Sequence, residues 1–573
     1  MKFIVPELLI CLVFSVAGYW VELRLAGGAP GDATHSRAAT SSEPVESYQQ
    51  AREADRAYAA KDWGRAASLL AQVTRTNPQR GEYRYRLGLA HYHQGDFDRA
   101  IPAFARSAEL GQYPAASTYN IAACYSRSGR ADDAFRFIAR ALELKWDNRR
   151  AFAEDDDFAA LKGDPRLERY AGLPKGRPGR DEAWRLDLDF LAGELKRLHI
   201  DLYHRITPTE LAERIRRLHE QIPTLKDHEI VAGLLRLLAA IGDGHTLMFW
   251  PTSGPHAFHA LPVRFYSFEE GYFITAGDTD HREFIGDKLV CVGDTPVEEA
   301  ARRLSEYISH DNEYGIRRYI GTALGYPELL YASRIIDRPD EVHLEVETRE
   351  GKRRKLTLRP TAATPEVESV LTPAPVETGE IPLRFKNPTL PYWLELLPEH
   401  RALYVQYRVC GNRKGETFAS FCQRVFDLID KNSVDKLIVD LRNNEGGSNL
   451  VNKYLVQGIL RTPKINRKGR LFVLVGRHTF SAAMCCAADL ERWADALFAG
   501  EPTGSSPNFI GDTSRVILPY SELRASISTH IWQNSVAFDQ RAWIAPQFFA
   551  KPKFTDWVSG RDPALDAALT YSE

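Results

Sequence analysis

Hydrophobic patterning divides the chain into three kinds of stretch. Between Ser47 and Trp146, apolar and small residues recur at helical spacing with a longer period laid over them. Ala66, Ala100 and Ala134 stand 34 residues apart, and so do Ala54, Gly88 and Ala122. Lys61, Gly95 and Gly129 keep the same interval, as do Leu70, Phe104 and Ile138. This predicts a stack of helical hairpins in which small residues let helices cross closely, the Lys/Gly column turns the chain and large residues fill the seams. Asp155–Tyr170 is expected to cap the stack as a helix. Trp184–Leu198 and Thr207–Ala240 are helical in period, with Thr207 before Pro208 marking a start. From Leu261 to Pro360 the runs "LPVRFYSF", "GYFITAG", "KLVCVG", "EVHLEVET" and "RKLTLRP" are strand-like. Beyond Arg401, the strand runs "ALYVQYR", "KLIVDLR" and "LFVLVG" alternate with helical Gly415–Asp430 and "SAAMCCAADLERWADAL". Alternation of this kind predicts a layered α/β domain.

Composition narrows the classes. At 573 residues the chain is too long for one core, and 44% apolar with 26% charged residues is ordinary for globular protein. A net charge of −2 predicts no broad basic face, which argues against nucleic acid as the main partner. Seven scattered cysteines form neither a zinc-type pair nor a disulfide framework, and adjacent Cys485 and Cys486 are expected to pack as small apolar residues. "MKFIVPELLICLVFSVAGYW" has a basic start, an apolar stretch and Ser15-Val16-Ala17 as a small-residue cleavage site. Residues 1–23 are therefore expected to be a signal peptide or membrane anchor. That places the protein outside the cytosol, in the periplasm or cell envelope, with inner-membrane anchoring as the uncleaved form. Residues 24–45 are small, polar and rich in Pro and Gly, the composition of a flexible tether.

Three distant stretches carry candidate chemistry. "IGDGHT" (Ile241–Thr246) leaves His245 at a helix-to-loop exit. "DLRNNEGGSN" (Asp440–Asn449) follows a buried strand, and its paired glycines can bring backbone N–H groups close to a ligand. "RHTFSAAMCC" puts Ser481 at a helix N-terminus, where free N–H groups favour a developing anion. By itself Ser481 is as well explained as a helix cap, His245 as a structural histidine and Gly446-Gly447 as a tight turn. A catalytic serine needs a base within hydrogen-bond reach and two donors for its oxyanion, and these stretches together can supply them.

"RLGLAHYHQGDFDRAIPAFARSAEL" (Arg86–Leu110) resembles the tetratricopeptide repeat, an array that presents a concave surface to a peptide or partner protein. "LLAAIGDGHT", "LIVDLRNNEGG", "TFSAA" and "GEPTG" (Gly500–Gly504), in this order, resemble the tail-specific protease and tricorn-core family of serine peptidases, S41, with "GRDPALDAAL" as its closing helix. The implied architecture is a multidomain chain: an all-α tetratricopeptide array (46–172), then an α/β ClpP/crotonase-like core (390–573) with a helical cap (181–255) and a small mostly-β, PDZ-like insert (256–362). The resemblance implies hydrolysis of peptide bonds in chain ends or unfolded segments, without metal or cofactor. It casts Ser481 as nucleophile, His245 as base, and the N–H of Ala482 with that of Gly446 or Gly447 as oxyanion donors.

One branch of that family pairs the serine with a lysine about 25 residues later, but "TGSSPNF" holds none. The tricorn-like branch takes a histidine from the earlier helical region, matching His245, and an acid some tens of residues after the nucleophile. Asp539 in "AFDQRAW" fits that acid, and Glu501 is its rival. His478 is a second choice of base. The chain departs from the pattern at Gly244, where that branch has serine, at Glu445, where glycine is frequent and a carboxylate would oppose an oxyanion, and at Met484. These departures keep a second class open, a peptide-binding scaffold on a lapsed peptidase fold. A crotonase-type acyl-CoA enzyme fits poorly with the export-like N-terminus and the repeats.

Overall fold

The computed structural model describes residues 43–173, 176, 178–363 and 381–572. The leader or anchor expected at 1–23, nearly all of the tether and parts of the linker near 172–180 lie outside the described residues. No helix among the described residues is long and apolar enough to cross a membrane. The chain forms two compact units that meet in sequence at Pro78 and Gln79.

The first unit holds a helical hairpin, Glu43–Ala59 and Trp63–Thr76, in which Ala54, Ala66 and Leu70 are fully buried. The second unit opens with two more hairpins, Gly81–His93 with Phe97–Glu109 and Pro114–Arg127 with Ala131–Glu143, packed side by side. The predicted columns take the positions that their chemistry dictates. Ala100, Ala134, Phe104 and Ile138 are fully buried, and Lys61, Gly95 and Gly129 all turn the chain in the left-handed region at φ 56°, 76° and 73°. The expected capping helix over 155–170 is instead broken into a 3-10 turn, Asp156–Leu161, and a seven-residue helix, Pro165–Ala171. Tyr119 donates a hydrogen bond to Asp155, Gly163 adopts φ 92°, and Pro165 restarts the helix behind the Asp164 cap.

Helices Arg180–Leu198, Pro208–Gln221 and Asp227–Ala239 follow, the second opened by a capping box between Thr207 and Glu210. The strand-rich stretch forms a six-stranded antiparallel sheet whose main path runs Val263–Phe268, Gly271–Gly277, Lys288–Val292, Val342–Glu347, Arg353–Leu358, with Thr295–Pro296 pairing Lys288–Val292 off that path. Helical and strand-rich stretches share one hydrophobic core. Leu191, Leu235, Val263, Leu289 and Leu344 pack together with Val516 and Ile527 from a later hairpin. A boundary near 255 therefore separates two patterns in the sequence but not two cores.

The C-terminal third is built on a six-stranded sheet ordered Tyr392–Leu397, Ala402–Tyr407, Lys436–Asp440, Leu471–Val475, Ala496–Gly500, Phe548–Phe549. Its first pair is antiparallel and the rest are parallel. Alternate residues face opposite ways. Leu471, Val473 and Val475 meet helices Phe418–Lys431, Asn452–Leu460 and Ala482–Trp493, while Phe472 and Leu474 meet helix Pro563–Thr570. Cys485 and Cys486 are buried free thiols, as their helical setting predicts. An antiparallel hairpin, Asn508–Ile517 with Arg524–Gln533, pairs its second strand with Leu247–Met248 and so ties the "IGDGHT" loop to this region.

Candidate active site

The loops after strands Lys436–Asp440 and Leu471–Val475 leave from the carboxyl edge of the parallel sheet, where open α/β sheets place their ligand sites. Ser481 sits between the second of these strands and helix Ala482–Trp493, at φ 54° and ψ −126°. A non-glycine residue held there stores strain of about 1–3 kcal/mol, which the surrounding packing must over-determine. Thr479 supplies part of that packing, its hydroxyl donating to the Leu441 carbonyl and accepting from the Gly476 N–H. Although Ser481 occupies the N-cap position, its side chain makes no capping hydrogen bond. The hydroxyl is held at a helix N-terminus without being used by it.

Gly446 lies directly against this turn. A Cβ on Gly446 would stand 2.6 Å from Ser481 Cβ and 2.8 Å from the Ala482 nitrogen, so only glycine fits, at φ 107°. The Gly446 N–H is already committed, donating to Asn444 Oδ1 at 2.9 Å, and its carbonyl accepts from the Cys410 N–H at 2.8 Å. Of the two glycines named as alternative donors, Gly446 has its N–H committed within the loop, while no hydrogen bond among the described residues takes up that of Gly447. Gly447 is fixed at φ 127° against the Cys410 carbonyl, which a Cβ would approach to 2.3 Å. The Ala482 N–H opens the helix beside it.

His245 packs on Phe480, the residue before Ser481, and does not hydrogen-bond the serine. The imidazole stacks on the Phe480 ring at 4.4 Å between centroids and on Phe509 of the long hairpin at 5.3 Å. Neither ring nitrogen has a hydrogen-bond partner; the Ile510 carbonyl faces the ring without completing one. Burial lowers the pKa to about 4, opposed by the Asp243 carboxylate and reinforced by the Arg318 guanidinium. The imidazole is therefore neutral near pH 7 and able to accept a proton. Gly244, a departure from the resembled pattern, has a local cause. A Cβ there would lie 2.8 Å from the Phe480 ring and 3.2 Å from Asp311.

Two buried carboxylates, neither singled out in the sequence, shape the histidine loop. Asp243 accepts from the backbone N–H of His245 at 3.0 Å and of Thr246 at 2.6 Å, from the Ser528 hydroxyl, and pairs with His199 at 3.0 Å. Asp311 accepts from the Gly244 N–H at 2.7 Å and from the Ser505 hydroxyl, and burial pushes its pKa up to about 6. Asn312 beside it donates to the carbonyls of Thr503 and Ala542.

The acid predicted from the resemblance is placed elsewhere. Asp539 forms a bidentate pair with Arg541, which also grips Glu491, and this guanidinium holds the Asp539 carboxyl well below the usual range. Its rival Glu501 is a buried partner of Arg477 at 2.7 Å. Neither bonds the His245 ring; each is paired with a guanidinium instead. Glu445 is a paired carboxylate rather than an isolated one. Desolvation raises its pKa, but Arg318 and His478, each at 2.9 Å, hold the carboxyl well below its usual range. His478, the second choice of base, is thereby oriented by Glu445.

Residues 51–117 match the tetratricopeptide repeat family. No curated protein sequence matches the chain. Among solved structures, the chain is similar to mature CPAF at 13% identity, over 68% of this chain and 96% of that one, with a TM-score of 0.49. It is similar to a photosystem II D1 C-terminal processing protease at 15% identity, over 68% and 99%, with a TM-score of 0.32. With the tricorn protease it shares 14% identity over 68% of this chain and 36% of that one, with a TM-score of 0.29. Likenesses this distant carry no weight on function, which rests on the site itself.

Proposed function

We propose that the protein is a serine peptidase that cleaves unfolded or C-terminal polypeptide segments through an acyl-enzyme on Ser481, its repeat array recruiting the substrate or a partner protein. The observation that carries this is the serine itself, strained at a strand-to-helix turn, free of any capping bond and pressed against Gly446 beside the Ala482 N–H. Neutral His245 takes the Ser481 proton as the hydroxyl attacks the scissile carbonyl. The N–H groups of Ala482 and Gly447 receive the oxyanion, each worth about 2.7–4 kcal/mol of transition-state stabilisation. His245 then returns the proton to the leaving amine and activates the water that frees the acid. Incubation with unfolded protein and peptide substrates is expected to give cleavage that Ser481→Ala abolishes. Cleavage that persists undiminished in that variant would remove Ser481 from the reaction.

A second reading, a peptide-binding scaffold on a lapsed peptidase fold, is favoured by one observation. Among the described residues no carboxylate bonds the His245 ring. It predicts that Ser481→Ala restores full biological activity to a strain lacking the protein, which a peptidase would not allow. The N-terminal apolar stretch supports an exported or envelope-anchored location, which fractionation of a tagged full-length chain tests.

A further inference from the structure

Glu445 and Arg318 belong to a column of side chains that reaches the imidazole of His245. The Arg318 guanidinium lies 4.3 Å from the centroid of the Phe480 ring. The His245 ring lies 4.4 Å from the same centroid, tilted by 21°. Two groups that close to one centroid cannot share a face, so they take opposite faces of Phe480. Phe509 closes the far side of the imidazole, 5.3 Å away and tilted by 7°. The order is Glu445, Arg318, Phe480, His245, Phe509. The flanks of the column admit no further side chain. A Cβ on Gly244 would stand 2.8 Å from the Phe480 ring, and one on Gly511 would stand 2.8 Å from Phe509 and 3.2 Å from His245 Cε1.

The charged end of the column is fastened twice. Arg318, its side chain only 6% exposed, donates from Nε to Glu445 Oε1 at 2.9 Å and from Nη2 to the Tyr319 hydroxyl. Glu445 is the one carboxylate paired with it among the described residues. Without that partner the buried guanidinium would be an uncompensated charge. A cation over an aromatic face is attracted by the ring's quadrupole, the more so where water is excluded. Glu445 thus fixes Arg318, and Arg318 fixes the Phe480 ring on which His245 rests. Glu445 also precedes Gly446, whose backbone lies against Ser481 and Ala482. One carboxylate is therefore joined to the loop beside the nucleophile and, through two stacked contacts, to the imidazole.

An imidazole that acts as a base is ordinarily oriented by a hydrogen bond to one of its nitrogens, and both nitrogens of His245 lack one. We propose that Arg318 and Glu445 are positioning residues for His245, holding the imidazole by its face through Phe480 where no carboxylate among the described residues holds it by a nitrogen. Glu445, a departure from the resembled pattern, thereby has a task in the site. That the positioned ring serves as a base rests on the peptidase reading, while the column itself rests on the contacts alone. Arg318 and His478 line one cavity, so direct contact with substrate is the competing role for Arg318. The two roles differ in what they do to kcat and KM.

The test compares full-length Arg318→Met and Arg318→Lys with the wild type. Methionine keeps the length but removes the charge and the plane, whereas lysine keeps the charge. With fluorescein-labelled denatured casein as substrate, Arg318→Met is expected to lower kcat about ten-fold with KM within about two-fold of wild type. Arg318→Lys is expected to recover part of that loss. Glu445→Gln changes a half-exposed residue and serves where Arg318→Met does not fold. It is expected to lower kcat about three-fold, the difference between a charged and a neutral hydrogen bond. The second readout needs no turnover. In protein carrying isotope-labelled histidine, the His245 Cε1–H signal is identified by its loss in His245→Gln and lies upfield, because Phe480 and Phe509 place ring currents on both faces. It is expected to move toward the free-histidine position in Arg318→Met and back toward the wild-type position in Arg318→Lys. A raised KM with unchanged kcat would make Arg318 a substrate contact and overturn the proposal. So would a His245 signal that neither Arg318→Met nor Glu445→Gln moves. A wild type that cleaves nothing, while its His245 signal still follows Arg318, fails the peptidase reading and upholds the column.

Discussion

At the scale of single residues, the account turns on three backbone positions and one imidazole. Ser481 pays for its conformation, so Ser481→Gly is expected to be more stable than Ser481→Ala by about 1 kcal/mol, both being inactive. Chemical denaturation of the two variants checks this. Gly244 is held free of a side chain by the Phe480 ring at 2.8 Å. Gly244→Ser, although it restores the residue of the resembled pattern, should displace Phe480 and the histidine stacked on it. A loss of kcat on the order of 10- to 100-fold follows from misplacing a base by less than an ångström or so. The pH dependence has a definite sign. His245 acts as a base only when neutral, and burial lowers its pKa to about 4, so activity is expected to persist well below pH 6.5 and to fall as pH drops through about 4. Because the unfolded ring binds a proton from about pH 6.5 downward, the same group costs stability over that interval. A kcat/KM profile with its acid limb near 6.5 would mean a solvated imidazole and contradict the buried stack. Ser481, Ala482 and the glycine pair could be singled out in the sequence because they stand in motifs with fixed local spacing, and the structure brings Gly446 against Ser481 and Ala482. Asp311 was not singled out, since a buried carboxylate that accepts a backbone N–H across 67 residues of chain leaves no local pattern, whereas Asp243 bonds the N–H groups two and three residues on, a local signal inside "IGDGHT" that was passed over.

At the scale of elements, the periodic array is the most legible part of the molecule. One 34-residue interval repeated a steric requirement, and the structure meets it at each column. Gly88 shows the requirement most directly, since a Cβ there would stand 2.6 Å from the Phe104 ring. Gly88→Val is expected to cost about 1–3 kcal/mol by overpacking, read as a lower thermal midpoint of the array. Gly129→Ala meets no atom within 4 Å, so its cost is the left-handed backbone alone, about 1 kcal/mol. The capping helix was misjudged for a local reason: Asp155, Gly163 and Asp164 each favour a turn over continued helix, and helical periodicity does not register them. Asp539 was misjudged for a related one. Its spacing from Ser481 fitted the pattern, but Arg541 two residues on captures its carboxylate, and spacing carries no information about that competition.

At the scale of the molecule, within the second unit the last repeat hairpin and the helices that follow it are fastened by charge. Glu194, buried on helix Arg180–Leu198, pairs with Arg149 at 2.8 Å and with Arg197 at 2.5 Å. Arg197 also donates to the Leu142 and Trp146 carbonyls at the end of the last hairpin. Removing the buried carboxylate leaves two guanidinium groups uncompensated, so Glu194→Gln is expected to cost about 3 kcal/mol and to split unfolding into two transitions. A single unshifted transition by calorimetry would show that the junction is not held this way. The central claim of the proposed function is that cleavage runs through Ser481. The most direct measurement is reaction of the folded protein with a fluorophosphonate, followed by peptide mapping of the adduct. The account predicts one adduct, on Ser481, absent in Ser481→Ala and in His245→Ala. An unlabelled protein, or labelling of Ser481 undiminished by His245→Ala, would contradict it.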